Sequence, residues 1–263
     1  MNEVSDNPLD LFRLDDRLII ITGASEGIGR EFAEVFARAG AKIVLVSRRP
    51  DKLETVRAAI ASRGGEAEIV SADVTDLAQI AALAAAVRTL RQRDRRKLVL
   101  VNNAGFGFTK PIAEVSEQDF DTLFDTHVKG AFFCSQQIGA LMIERGYGKI
   151  INMSSTWSLA TDAGKSVYCA AKGAVSQLTA ALSTEWAPLG VRVNGLAPAA
   201  TKTDSAKERM TKEPARFEHM LRRVKLGRFA ELSDLVGAAI YLASGASDYV
   251  TGQTLFVDGG FTT

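Results

Sequence analysis

The sequence predicts an α/β protein of three layers, αβα, built on a doubly wound parallel sheet of seven strands. Short, continuously apolar β-rich runs alternate with longer stretches of helical period along nearly the whole chain. That is the rhythm of strands buried on both faces and joined by right-handed helical crossovers. The first apolar run leads straight into a glycine-rich turn and then a helix. The 263 residues include 22 glycines and only 6 prolines, with no linker, repeat or low-complexity tract. One large domain over residues 1–263 is therefore expected.

Taken in order, strands are expected at Leu18–Thr22, Lys42–Val46, Glu66–Val70, Leu98–Asn102, Lys149–Asn152, Val191–Leu196 and Thr254–Val257. Helices are expected at Ile28–Ala39, Lys52–Ser62, Leu77–Leu90, Phe120–Glu144, Val167–Trp186 and Leu232–Ser244, where apolar residues recur at helical spacing. Met1–Leu14 is polar and acidic, without the basic start and apolar stretch of a signal peptide, and is expected to be an N-terminal extension (residues 1–14). Thr201–Arg228 is a charged, helical insertion between two strands. Ligands in open α/β sheets bind beyond the carboxyl ends of strands, so this insertion (residues 201–228) is expected to be a substrate lid.

Composition removes several classes. With 32 basic and 31 acidic residues the net charge is +1, so no nucleic acid or anionic membrane is expected as a partner. Two cysteines, Cys134 and Cys169, and two histidines, His127 and His219, supply neither a disulfide scaffold nor a metal centre. The longest apolar runs, such as Leu18–Ile21, are far shorter than a membrane span. A cytoplasmic protein acting on a small molecule is the expectation.

The turn after the first strand reads Thr22-Gly23-Ala24-Ser25-Glu26-Gly27-Ile28-Gly29. Glycines at this spacing permit a tight turn and bring backbone N–H groups close to a phosphate, with the helix N-terminus adding positive potential. The position after a first strand points to a dinucleotide. Further along come Asn102-Asn103-Ala104-Gly105, then Ser155, then Tyr168-x-x-x-Lys172, then Val250-Thr251-Gly252 and Val257-Asp258-Gly259-Gly260.

In this order and spacing the strings resemble the short-chain dehydrogenase/reductase family over nearly the whole chain. The resemblance implies a Rossmann-type fold and an NAD(P)-dependent oxidoreductase acting on CH–OH groups. It implies cofactor contacts from Gly23, Ser25, Glu26, Gly27, Ile28 and Gly29, and an adenine-contacting pair in Asp73 and Val74. Backbone approach to the cofactor is implied for Asn102, Ala104 and Gly105. Pro198, Ala200, Thr201 and Thr203 are implied at the carboxamide and phosphates, and Lys172 at the nicotinamide ribose. It further implies a homotetramer, with a dimer next, paired through the helices Phe120–Glu144 and Val167–Trp186.

The end of the second strand carries Ser47-Arg48-Arg49 where a preference for NAD would place an acid. Serine and arginine can bind a 2′-phosphate through charge-assisted, forked hydrogen bonds, so NADP(H) is expected over NAD(H). Tyr168 and Lys172 share one helix face. A positive charge about 6 Å away is worth roughly 2.8 kcal/mol and is expected to draw the phenol well below its usual range. Tyr168 is then the proton donor to a carbonyl or acceptor from an alcohol. Ser155 would hold the substrate oxygen, with Ser154 expected to be structural.

Two departures from the family pattern stand out. His127 takes the place of an asparagine that supports a water relay. It is either a titrating relay that adds a limb to the pH–rate profile or a neutral packing residue. Pro198-Ala199 replaces Pro-Gly, and alanine would be strained if the loop needed a positive φ. Trp157, Asp162 and Lys165 are pocket candidates, each with a loop-packing alternative. Lid cations outnumber lid acids, which suits an anionic substrate or a solvated helix face. The C-terminal stretch from Arg228 to Gly260 and the opening Leu11-Phe12-x-Leu14 look similar to gluconate 5-dehydrogenases, which implies a sugar acid or keto-acid. A 3-oxoacyl-[acyl-carrier-protein] reductase and a nucleotide-binding sensor with impaired chemistry are the alternatives.

Overall fold

Strand β1 (Arg17–Thr22) is buried along its whole length and pairs in parallel with β2 (Lys42–Ser47) on one side and β4 (Lys97–Asn102) on the other. The computed structural model describes residues 7–263; residues 1–6 of the expected N-terminal extension lie outside them. With β3 (Glu66–Ser71), β5 (Gly148–Met153), β6 (Val191–Pro198) and β7 (Thr254–Val257) the strands form one parallel sheet in the order β3-β2-β1-β4-β5-β6-β7. The direction of winding reverses between β1 and β4, which opens a crevice at their carboxyl ends.

The helices are α1 (Gly27–Arg38), α2 (Pro50–Ala61), α3 (Leu77–Arg93), α4 (Glu117–Phe124), α5 (Gly130–Ile143), α6 (Ser166–Trp186), α7 (Asp204–Lys212), α8 (Pro214–Leu221) and α9 (Leu232–Ala243). Alternation along β1 explains the three layers. Ile19 and Ile21 face Phe32 and Phe36 of α1, Leu53 and Val56 of α2 and Leu235 and Leu242 of α9. Leu18 and Ile20 face the other way, into a cluster with Ile80 and Leu83 of α3, Ile138 and Met142 of α5 and Leu182 of α6. Successive side chains of a strand point to opposite faces, so a run of apolar residues must be covered twice.

Each expected strand is present, and most helices begin or end within a few residues of expectation. One helix differs. The stretch 120–144 is not continuous: α4 ends at Phe124, a π-helical turn spans Asp125–Lys129, and α5 begins at Gly130. The extra residue per turn rotates His127 into the interior, and such bulges favour functional positions. Gly130 lies against Val74; a Cβ there would meet Val74 Cγ2 at 3.0 Å. The insertion after β6 carries α7 and α8, with Pro214 opening α8. Among the described residues no helix is long and apolar enough to cross a membrane.

Candidate active site

The glycine turn sits at the winding reversal and is locked to the end of β4. Gly23 has φ +68°, and a Cβ there would stand 2.9 Å from Ala104 Cα. Thr22 Oγ1 accepts from the backbone N–H groups of Asn103 and Ala104, both at 3.0 Å. Asn103 Nδ2 returns a bond to the Thr22 carbonyl oxygen at 2.9 Å. Gly29 is needed for packing, since a Cβ would lie 2.4 Å from the Gly23 carbonyl oxygen. Glu26 caps α1 with no side-chain bond to the helix, so the first amides of α1 stay free for a phosphate. Ile28 packs against the core beneath, and Thr203 lies over Gly27, 3.4 Å from where its Cβ would be.

The rim beside the end of β2 is cationic. Arg49 donates to Ser25 Oγ at 3.0 Å and pairs with Glu26 at 2.9 Å, while Lys52 pairs with Glu26 at 3.1 Å. These hydrogen bonds, that of Arg49 foremost, hold the Glu26 carboxyl below its ordinary range. Ser47 Oγ accepts from the Arg49 amide at 3.1 Å. Arg48 is 76% exposed and lies 3.6 Å from Asp73. Lys52 and the internal counter-ion Glu26 were not expected as charge partners; their link to Arg49 exists only across the fold.

Past the end of β5, Ser155 opens a 3₁₀ turn (Thr156–Ser158), its Oγ accepting from the Trp157 amide at 3.3 Å. Its hydroxyl also favours the charged form of the Tyr168 phenol. Ser154 turns the other way, its Oγ 2.7 Å from Ser176 Oγ, so Ser155 is the one that meets Tyr168. Lys172 is buried, donates to the Met153 carbonyl oxygen at 2.6 Å and stands 5.6 Å from the centre of the Tyr168 ring. Burial draws the Lys172 amine down to about 7. Burial also pushes the Tyr168 phenol up, against the opposing bond from Ser155 and the charge of Arg209. The expected lowering of Tyr168 is therefore corrected: in the protein alone, loss of hydration outweighs the opposing effects of Ser155 and Arg209.

His127 is buried and edge-on to Tyr168, with ring centres 5.6 Å apart. Its Nε2 lies 2.7 Å from the Phe106 carbonyl oxygen and 3.1 Å from the Phe106 amide. The shorter contact assigns Nε2–H as the donor and leaves Nδ1 an acceptor. Nδ1 and Asn102 Oδ1 are buried without partners, while Asn102 Nδ2 is bonded to Asn152 Oδ1 and Ser135 Oγ. Both residues line a small cavity with Thr22, Ala104 and Lys172, of which about 10 Å³ is open to the centre of a water molecule. Burial first, then the charge of Lys172, takes His127 down to about 3. The titrating alternative gives way to a neutral ring. Gly105 is correspondingly tight: a Cβ would stand 2.3 Å from His127 Cε1, so this glycine clears the histidine.

The insertion folds back over this end of the sheet. Thr201 bridges to Ala230, Thr203 caps α7 through the Ala206 amide, and Thr201 Oγ1 donates to the Ala199 carbonyl oxygen at 3.0 Å. No residue other than glycine has a positive φ among the described residues, so Ala199 sits without strain after Pro198. Ala200 and Ala199 join Trp157, Met220, Val224 and Phe261 in a cluster that also touches Tyr168. Trp157 is buried there against Phe261 at 5.4 Å, packed with Met220 and Val224 of the insertion. Asp162 is bonded to Arg216 at 3.0 Å. Among the described residues no group of three or more histidine, cysteine or acidic side chains could hold a metal ion.

Comparison with known proteins places the chain in a family. A family model described as enoyl-(acyl carrier protein) reductase matches residues 23–262. The chain is 39% identical over 254 residues to gluconate 5-dehydrogenase of Gluconobacter oxydans, covering 96% of this chain and 97% of that protein. It is 38% identical to the galactitol 2-dehydrogenase (L-tagatose-forming) of Cereibacter sphaeroides, with 96% and 97% covered. Among solved structures, a gluconate 5-dehydrogenase from Burkholderia cenocepacia in complex with NADP and tartrate superposes with a TM-score of 0.90 at 38% identity, covering 97% of this chain and 99% of that one.

Two outcomes follow from the packing at His127. Gly105→Ala is expected to destabilise the protein, and adding His127→Ala is expected to relieve it. The two changes should therefore couple by about 0.5–3 kcal/mol in urea unfolding rather than add. Because the folded protein keeps His127 neutral down to about 3, the unfolded chain alone takes up its proton below about pH 6.5. Wild-type stability should then fall more steeply than that of His127→Asn as pH drops from 6 to 4, by up to about 1.4 kcal/mol per pH unit.

Proposed function

We propose, since the chain belongs to the short-chain dehydrogenase/reductase family, that it interconverts a secondary alcohol and a ketone with NADP(H), on a sugar acid or keto-acid. The observation that carries this reading is the meeting of Ser155, Tyr168 and Lys172 at the carboxyl end of β5, beside the glycine turn. The uncapped α1 N-terminus and the glycine turn fit a dinucleotide pyrophosphate, as Ser47, Arg48 and Arg49 fit a 2′-phosphate. The bound nicotinamide supplies or accepts the hydride. Asp73 and Val74 would flank the adenine, and Asn102, Ala104, Gly105 and the segment from Pro198 to Thr203 would line the nicotinamide half.

Within that frame each side chain has a task. Tyr168 Oη gives its proton to the carbonyl oxygen, or takes one from the alcohol. Ser155 Oγ hydrogen-bonds the same oxygen and holds its developing charge. Lys172, whose amine burial brings to about 7 in the protein alone, would place its charged form beside the phenol and reach the ribose hydroxyls. His127 is a neutral positioning residue. A water in the adjoining cavity can donate to His127 Nδ1 and Asn102 Oδ1 and accept from Lys172, which links the pair to a proton path without a titrating imidazole. The insertion acts as a lid over one domain. The half-exposed rings of Phe120 and Phe132 on α4 and α5 suit pairing between subunits of a homotetramer.

Tyr168→Phe should lower turnover by about 10²-fold or more while NADPH binding, followed by fluorescence, stays within a few-fold. Arg48→Ala should weaken NADPH binding by about tenfold and leave NADH binding as it was. Equal loss for both cofactors would contradict the 2′-phosphate assignment.

A further inference from the structure

Lys165 stands at the N-terminal cap of α6, one helical turn before Tyr168. It is only 8% exposed. Its ammonium donates to the Phe108 carbonyl oxygen at 2.8 Å and lies 5.7 Å from the centre of the Tyr168 ring. The backbone of the Phe106–Lys110 loop is tied to this place by the Lys110 amide, which donates to the Gly164 carbonyl oxygen at 3.0 Å. Two ammonium groups thus flank the Tyr168 ring. Lys172 is anchored on the sheet side by Met153, and Lys165 is anchored on the loop side by Phe108.

Among the described residues Lys165 has no ion-pair partner. Asp162 and Glu213, the acids nearest it, belong to Arg216, at 3.0 and 3.7 Å. Among the described residues its ammonium makes one hydrogen bond, to a neutral carbonyl, although it carries three donors. Burying a charge without an opposite one is unfavourable. Here the helix works against it too, because a cation at a helix N-terminus faces the positive end of the dipole. Burial first, then the charges of Arg216 and Arg209, draw the Lys165 amine down to about 8. Arg209 also acts on Tyr168 from the insertion. The arginine charges outweigh those of Glu213 and Asp162 at this spot, and the spot lies next to the phenol that would meet the substrate.

We infer that the Lys165 ammonium, with Arg209 behind it, anchors the carboxylate of the substrate and thereby selects an oxo or hydroxy acid over a neutral polyol. The inference rests on the oxidoreductase reading above and adds its specificity-determining residue. An arriving carboxylate supplies the missing opposite charge and takes up the two remaining donors. It is held on the loop side of Tyr168, with the reacting carbon a few atoms along the chain.

The test compares D-gluconate with galactitol as substrates, using purified wild type, Lys165→Met and Lys165→Arg with NADP+. The ratio of kcat/KM for gluconate over galactitol is expected to fall by about tenfold or more in Lys165→Met, mainly through KM, and to recover largely in Lys165→Arg. Equal losses on both substrates, or no change in the ratio, would overturn it. Gluconate binding gives a second readout that needs no turnover. Sodium gluconate should raise the Tm of the NADP+-loaded wild type but not of Lys165→Met, and equal shifts would overturn the inference. Without gluconate, Lys165→Met should unfold at or above the wild-type Tm, so a folding defect is recognised directly. A wild type that oxidises neither compound yet binds gluconate through Lys165 would sink the oxidoreductase reading while leaving the anion anchor standing.

Discussion

The bond from the buried Lys172 ammonium to the Met153 carbonyl oxygen is the contact on which the site depends. It fixes α6 against the carboxyl end of β5, and both ends of that link carry residues of the candidate site. Ser155 lies two residues beyond Met153, and Tyr168 lies one helical turn before Lys172. A single anchored cation therefore sets the distance between hydroxyl, phenol and charge. A buried ladder supports it from below: Asn102 donates to Asn152, and Asn152 donates to Thr179 on α6. Buried polar contacts of this kind fix one packing because each broken one leaves a further unpaired group behind.

The same enclosure sets the electrostatics. Burial lowers Lys172 to about 7 and His127 to about 3, and it raises Tyr168. All three directions share one cause, the disfavouring of charge away from water. The protein alone thus holds the phenol neutral and ready to donate. Accepting a proton requires added positive charge at the ring, which an oxidised nicotinamide brings. His127 belongs to this enclosure. Its ring fills the space left by the missing Cβ of Gly105, and its bond to Phe106 fixes the loop that also presents Phe108 to Lys165.

Much of this was legible in the sequence because it is local. Apolar runs such as Leu18–Ile21 and Leu98–Val101 declare doubly covered strands, the spacing Gly23, Gly27, Gly29 declares the turn, and Tyr168 and Lys172 declare a shared helix face. What was not legible depends on residues distant in the chain. The π-helical turn at Asp125–Lys129 has no sequence mark, since helical period runs through it. The partner of Gly105 is 22 residues away, and the Arg49–Glu26 pair joins two different loops. The direction of the Tyr168 pKa is not legible in the sequence because spacing reveals the neighbouring charge but not the loss of hydration. The packing of Trp157 against Met220 and Val224 is equally illegible, because those residues lie some sixty positions later.

The central claim is that enclosure holds Tyr168 neutral and that cofactor charge, acting with Lys172, releases its proton. The direct measurement is the ultraviolet titration of the Tyr168 phenolate, taken as the difference between wild type and Tyr168→Phe, with and without saturating NADP+. The account predicts a phenol that titrates above the ordinary tyrosine range in the protein alone and falls when NADP+ binds. A phenol already low without cofactor, or one that NADP+ leaves in place, would contradict it.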